Sequence, residues 1–88
     1  MKLIIAIIRD VDNEAVCQAL VGADFRVTQV ASTGGFLRKG STTLMVGVED
    51  ERVQDALRIL REHTTQPQEA GMKRATIFVL NVAHFTQL

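Results

Sequence analysis

The sequence of 88 residues predicts an α+β fold with one four-stranded antiparallel sheet, and three observations predict it. Four short segments are apolar and rich in β-branched residues, which is typical of strands. Two segments between them carry apolar residues at helical spacing. The order along the chain is strand, helix, strand, strand, helix, strand. This order is that of the ferredoxin-like βαββαβ sandwich, and we expect a single domain over residues 1–88.

The first half of the chain predicts one helix between two strands. Lys2–Arg9 (KLIIAIIR) is apolar at both odd and even positions, which is typical of a strand that is covered on both faces. Asp12 is expected to be the N-cap of the first helix, and Gly22 stands where that helix should end. The second strand is expected over Phe25–Ala31.

The second half predicts the same elements after a loop. The third strand is expected over Thr42–Glu49, and Asp50 is expected to cap the second helix. A polar connector, Thr64–Lys73, then leads to a fourth doubly apolar strand, Arg74–Val82, and a short tail. The charged residues of the second helix, which we predict to be solvated surface, are Arg52, Asp55, Arg58, Arg61 and Glu62.

The composition favours association between copies of the chain. Hydrophobic residues make up 47% of a chain that is too short to bury a large core. Two helices can cover only one face of a four-stranded sheet, whereas the first and fourth strands are apolar on both faces. We therefore expect the uncovered face to pack against other subunits.

Charge and cysteine content restrict the class of protein. Ten Lys and Arg residues balance ten Asp and Glu residues, so there is no basic excess of the kind that binds nucleic acid. The longest apolar run, Leu3–Ile8, is far shorter than the roughly 20 residues that span a membrane. The single cysteine allows no intramolecular disulfide, which fits a reducing compartment. We expect a cytoplasmic protein with neither membrane nor nucleic-acid partners.

Residues that carry metal or nucleophilic chemistry are scattered along the chain. Cys17, His63 and His84 show no spacing typical of metal ligands. Cys17 is expected to be a small buried hydrophobe, and His63 to lie at the negative end of the second helix. Ser32 and Ser41 have no histidine or acid close to them in sequence. We predict no metal, no cofactor and no enzyme activity.

The segment 32–41, STGGFLRKGS, is longer than a connection between two strands requires. Its glycine pair, 34–35, permits positive φ and a close approach of the backbone to a ligand. Phe36 offers a flat face on which a base can stack, and the basic pair 38–39 supplies charge for phosphates. The alternative is a long hairpin connection without a ligand.

Three residues on the flanking strands fit the same kind of ligand. Arg26 and Thr28 share one face of the strand that enters the loop, and they provide a cation and a hydroxyl group. Gly47, on the strand that leaves the loop, leaves room for a ligand. Together with the loop, these residues predict a site for a flat heteroaromatic compound that carries phosphate.

The stretch FRVTQVASTGGFLRKGSTTLMVGVEDERV resembles the signature of the cyclic di-AMP receptor family, which belongs to the PII-like signal-transduction proteins. That signature has an F-R-x-T strand, a T-G-G-F-L-R-x-G-N-T-T loop and a strand that ends in G-V. The opening KLIIAIIRDVD and the closing ATIFVLNVAHFTQL are similar to the family as well.

The resemblance implies a non-catalytic, PII-like homotrimer that senses cyclic di-AMP in clefts between subunits and signals to a downstream protein partner. Strand residues would contact the nucleotide, loop residues would line the base pocket, and the C-terminal tail would approach from the adjoining strand end. The ligand-binding residues that the resemblance implies are Arg26, Thr28, Gly35, Phe36, Leu37, Gly47 and Gln87.

The chain departs from the family pattern at three places. Asp24 and Ser41 stand where the family usually has asparagine, and Thr64–Lys73 stands where it usually has a longer loop. Asp24 adds a negative charge near a dianionic ligand. Two alternatives follow. One is a PII-like trimer that has lost cyclic di-AMP or binds another adenine nucleotide such as ATP; the other is a small trimeric enzyme or metal-tolerance protein on the same fold.

Overall fold

A computed structural model describes residues 1–30, 40–67, 71 and 73–88 of the chain. Its elements follow the predicted order; β1 has the predicted bounds, and each of the other strands differs from its predicted bounds by one residue at each end. The strands and helices are β1 (Lys2–Arg9), α1 (Asn13–Gly22), β2 (Arg26–Val30), β3 (Ser41–Val48), α2 (Val53–His63) and β4 (Ala75–Asn81). Gly22 ends the first helix, as predicted.

The four strands form one antiparallel sheet in the order β2-β3-β1-β4. The two central strands are therefore β3 and β1, and the two edges are β2 and β4. In the register of the sheet, Ile4 lies opposite both Val46 and Val79. The predicted α+β fold, with a four-stranded antiparallel sheet and two helices, is confirmed.

Both helices cover the same face of this sheet. The core residues from β1 and β3 all belong to one parity, and they pack with buried residues of both helices. These core residues are Ile4, Ala6, Ile8, Val16, Leu20, Phe25, Leu44, Val46, Val48, Ala56 and Leu60. The apolar stripe predicted for each helix is therefore the stripe that faces the sheet.

The other face of the sheet, which we call the open face, is apolar, and neither of the two described helices covers it. Leu3, Ile5 and Ile7 of β1 lie on this face and are only half-buried. Phe78 and Leu80 of β4, which lie beside them, are 50% and 45% exposed. β1 is thus apolar on both faces, as predicted.

Neither predicted helix cap is formed by the aspartate side chain. Each helix begins after a 3₁₀ turn, Asp10–Asp12 or Asp50–Arg52, and neither turn or helix has a side-chain cap hydrogen bond. The backbone carbonyls of Asp10 and Asp50 accept the amides of Asn13 and Val53 instead. Because these carbonyls satisfy amides at the helix start, a capping carboxylate is not needed there.

Asp12 has another role, since its side chain is only 2% exposed. Its carboxylate accepts hydrogen bonds from the amide of Thr65 at 3.2 Å and from the Thr65 hydroxyl at 2.9 Å. Arg9 donates from Nη2 to the Thr65 carbonyl at 2.8 Å and lies 3.8 Å from the carboxylate. This cluster fixes the start of the connector after α2 to the turn after β1.

Within the described ranges, the helices are too short and too polar for any of them to cross a membrane.

Candidate functional site

Three of the residues predicted to bind a ligand lie together at one corner of the open face. Arg26 is the first residue of β2 and lies directly opposite Gly47 of β3. Thr28 lies opposite Met45, and the two-residue alternation of a strand places it on the same face as Arg26. Both side chains are exposed. The adjacency expected from the sequence is therefore present in the structure.

At Gly47 no side chain projects from the open face beside Arg26. The residue is exposed, and an added Cβ would contact only the tip of one side chain, the Met1 Cε atom, at 3.4 Å. A larger side chain at this position would rise from the open face next to the guanidinium of Arg26. The absence of a side chain at Gly47 leaves the backbone of β3 accessible to a flat ligand.

The far end of the glycine-rich segment is fixed to the turn after β1. Gly40 has a φ of +85°, which favours glycine, and its carbonyl accepts a 2.8 Å hydrogen bond from the amide of Asp10. The hydroxyl of Thr42 donates to the carboxylate of the same aspartate. The predicted ligand residues Gly35, Phe36 and Leu37 lie outside the described residues.

Gln87 follows β4, which is the edge strand farthest from β2. The end of β4 is held to the start of β1, where the amide of Val82 donates to the carbonyl of Met1 at 3.1 Å. Three strand spacings separate β4 from β2, which is about 14 Å. Among the described residues, no hydrogen bond joins Gln87 to Arg26 or Thr28.

Asp24 lies at the edge of this corner, as predicted from its place in the sequence. It is exposed and has a φ of 68°, the left-handed conformation in which a helix commonly ends. Its amide donates to the carbonyl of Val21 at 3.0 Å. In the part of the chain that the structure describes, its carboxylate forms no ion pair with Arg26.

Arg52 is partly solvated, as predicted, with a side chain that is 40% exposed, but it also contacts the turn between α1 and β2, which the sequence did not predict. Its Nη1 donates to the carbonyl of Ala23 at 3.0 Å. Its guanidinium carbon lies 4.1 Å from the centre of the Phe25 ring. The sequence signal for this contact was a helix end at Gly22 that lacked a basic residue of its own.

Thr43 is a polar residue of the open face that the sequence did not single out. It lies opposite Val30 and Ile7, and it is 8% exposed. Its hydroxyl has no hydrogen-bond partner among the described residues. The alternation along the strand separates it from Thr42, whose side chain points to the other face, but no sequence pattern shows that its hydroxyl is buried.

The cysteine and the helix-terminal histidine have structural roles. Cys17 packs beside the core, and burial raises the pKa of its thiol. His63 ends α2, with Nδ1 2.9 Å from the carbonyl of Ile59, as expected for the negative end of a helix. Within the described ranges, no three His, Cys, Asp or Glu side chains are close enough together to hold a metal ion.

The fold and this corner define a small α+β protein with an exposed arginine, hydroxyl and glycine at one edge of an apolar sheet face. The family model for the cyclic-di-AMP receptor matches residues 1–71. The chain therefore belongs to the cyclic-di-AMP receptor family, and the resemblance noted in the sequence is confirmed.

The structure is also similar to the crystal structure of a functionally unknown protein from Pediococcus pentosaceus ATCC 25745. The two sequences are 34% identical, and the match covers 99% of this chain and 96% of that chain. The TM-score is 0.78.

Proposed function

We propose that the protein is a non-catalytic, PII-like signalling receptor that binds cyclic di-AMP at clefts between the subunits of a homotrimer. The observation that carries this proposal is the grouping of Arg26, Thr28 and Gly47 at one corner of the open face. In a chain that belongs to the cyclic-di-AMP receptor family, this corner is the place where the described structure offers groups suited to a phosphorylated base.

The chemistry of cyclic di-AMP fits the groups at this corner. The ligand carries two phosphodiester charges, and the exposed guanidinium of Arg26 can bind one of them with two parallel hydrogen bonds. The hydroxyl of Thr28 can donate to a phosphate or accept from an adenine amine. The flat surface at Gly47 admits a base, and we assign the stacking contact to Phe36.

The apolar open face supports the trimer. A side chain such as Phe78, which is half exposed, is stabilised when a second subunit removes it from water. In a closed ring, two different surfaces of the subunit meet at every interface. We propose that these surfaces lie at the two edges of the sheet, so that the β4 edge of one subunit lies near the β2 edge of the next. Such an arrangement brings the tail after β4, with Gln87, towards the β2 corner of a neighbour.

Isothermal titration calorimetry tests whether the protein binds cyclic di-AMP, with separate titrations of ATP and cyclic di-GMP as controls. We expect heat from cyclic di-AMP alone, and a loss of at least ten-fold in affinity for Arg26→Ala. Arg58→Ala, which removes an arginine from α2, is the matched control and should bind as the unaltered protein does. Binding that is unaffected by Arg26→Ala would place the site elsewhere.

Light scattering after size exclusion tests the assembly, with an expected mass of three times 9.7 kDa. Phe78→Glu places a charge on the open face and should reduce the mass towards that of one chain. Val21→Glu is the control, because Val21 is 60% exposed on α1, on the other side of the molecule. A monomer at micromolar concentration would contradict both the trimer and the clefts.

One observation favours a second candidate, a PII-like trimer that has lost this ligand or binds another adenine nucleotide such as ATP. The exposed Asp24, two residues before Arg26, has no ion pair with that arginine to neutralise it. Its charge opposes cyclic di-AMP at this corner and opposes the more highly charged ATP still more, so this observation favours loss of the ligand over its exchange for ATP. Heat from ATP and none from cyclic di-AMP in the same titrations would support this candidate.

A further inference from the structure

Arg52 connects the two strands that carry the candidate ligand residues. It follows β3 by four residues, at the end of the 3₁₀ turn Asp50–Arg52. Its amide donates to the carbonyl of Glu49 at 2.9 Å, which fixes it to the end of the strand that bears Gly47. Its side chain reaches the turn that leads into the strand bearing Arg26.

At that turn the guanidinium contacts the residues before and after a residue that has an unfavourable backbone conformation. The preceding residue, Ala23, accepts the 3.0 Å hydrogen bond from Nη1. The following residue, Phe25, has its ring under the guanidinium at 4.1 Å. Between them lies Asp24 with a φ of 68°, which is costly for a residue other than glycine. Arg52 thus stabilises the turn from the side opposite to the open face.

Contacts on two sides restrain the rotamer of Arg52. Asp55, one helical turn further along α2, lies 3.8 Å from its Nε atom. Phe25 is 6% exposed and belongs to the core, so the ring offers a rigid surface to the cation. The charge also lies at the end of α1, where the carbonyls at the negative end of the helix dipole attract a cation.

We propose that Arg52 is a positioning residue for the ligand site, which sets the start of β2 against the end of β3 and so keeps Arg26 opposite Gly47. This inference rests on the proposed function, because the corner that it positions is the proposed binding site for cyclic di-AMP. Arg52 lies on the helix side of the sheet and does not contact the ligand.

The test compares three variants by calorimetry with cyclic di-AMP, well below the Tm of each. Arg52→Gln removes the charge and the cation–π contact and should weaken binding about three- to ten-fold. Arg52→Lys keeps a cation over Phe25 and should restore most of the affinity. Arg58→Gln is the matched control, because Arg58 also binds Asp55, at 3.2 Å, without reaching the turn; its affinity should change less than two-fold.

Amide NMR spectra of the ligand-free variants give a second measurement that does not depend on binding. Arg52→Gln should move the resonances of Arg26 and Thr28, and Arg58→Gln should not. A lower Tm for Arg52→Gln, with unchanged affinity and unmoved Arg26 and Thr28 resonances, would show a purely stabilising role and overturn the inference. If the unaltered protein binds no cyclic di-AMP, the proposed ligand fails while these resonances still decide whether Arg52 positions the corner.

Discussion

Replacing Asp24 with asparagine should strengthen cyclic di-AMP binding without changing the fold. Asparagine and aspartate both adopt the left-handed conformation that this position requires, so the Tm should stay nearly the same. Two residues of chain span at most about 7 Å, so we take a separation of roughly 8 Å between the Asp24 carboxylate and a phosphate bound to Arg26. At an effective dielectric constant of about 40, two unit charges at that distance repel by about 1 kcal/mol. Removing the carboxylate should then raise the affinity roughly five-fold.

Calorimetry at two salt concentrations tests this electrostatic explanation. The Debye length falls from about 10 Å at 0.1 M salt to about 3 Å at 1 M, so the gain from Asp24→Asn should nearly vanish at the higher concentration. Glu62→Gln removes an exposed carboxylate from α2 and should leave the affinity unchanged at both concentrations. A gain that persists at 1 M salt would refute the charge argument, and equal affinities at 0.1 M would show that position 24 lies too far from the ligand.

The remaining predictions concern stability and stacking. Asp12→Ala should lower the free energy of unfolding by about 1–3 kcal/mol in urea titrations, because it leaves the amide and hydroxyl of Thr65 and the guanidinium of Arg9 without the carboxylate that they contact. The α-ammonium of Met1, 3.0 Å away, lowers the pKa of Asp50 below its usual 3.8. The ion pair therefore stabilises the fold above the unfolded pKa of Asp50, and this stabilisation is lost as pH falls through the folded pKa. In Asp50→Asn, the free energy of unfolding should decrease less steeply below about pH 4 than in the unaltered protein. Phe36→Ala, outside the described residues, should weaken cyclic di-AMP binding by about 1–3 kcal/mol with little change in Tm.

The order of elements could be predicted from the sequence because each segment carries a local signal. β1 is apolar at both odd and even positions, and the apolar residues of α2 recur at the helical spacing i, i+3, i+4 and i+7. These patterns depend on neighbours in the chain alone. The helix caps were only partly predicted for the same reason, because Asp12 stands at the N-cap position of α1 but its side chain does not cap the helix. The carboxylate of Asp12 is used by Thr65, 53 residues away, and no local pattern reveals such a partner.

The candidate site divides in the same way. Arg26 and Thr28 could be placed on one face from the alternation along a strand, and the register confirmed that Gly47 lies beside them. The contacts of Arg52 were not predicted because its partners belong to another helix end, about 30 residues earlier in the chain. A charged residue beside an amphipathic helix looks solvated until the tertiary structure brings a carbonyl and an aromatic ring to it.

The turn after β1 is bonded to the end of the glycine-rich segment and to the start of the connector after α2. The amide of Asp10 binds the carbonyl of Gly40, where the glycine-rich segment ends. Two residues further on, the carboxylate of Asp12 binds Thr65, where the connector after α2 begins. A change in one segment therefore has a short physical route to the other, through three residues of one 3₁₀ turn.

This arrangement explains why a short connector is compatible with the fold. The cluster around Asp12 fixes the chain at Thr65, so residues removed further along the connector leave that cluster intact. Shortening an exposed connection also changes the entropy of loop closure only slightly. A shorter connector extends less far towards a bound ligand or a partner protein, by about 3.3 Å for each residue removed. Under the proposed function, lengthening the connector should therefore change the affinity for cyclic di-AMP and only weakly the Tm.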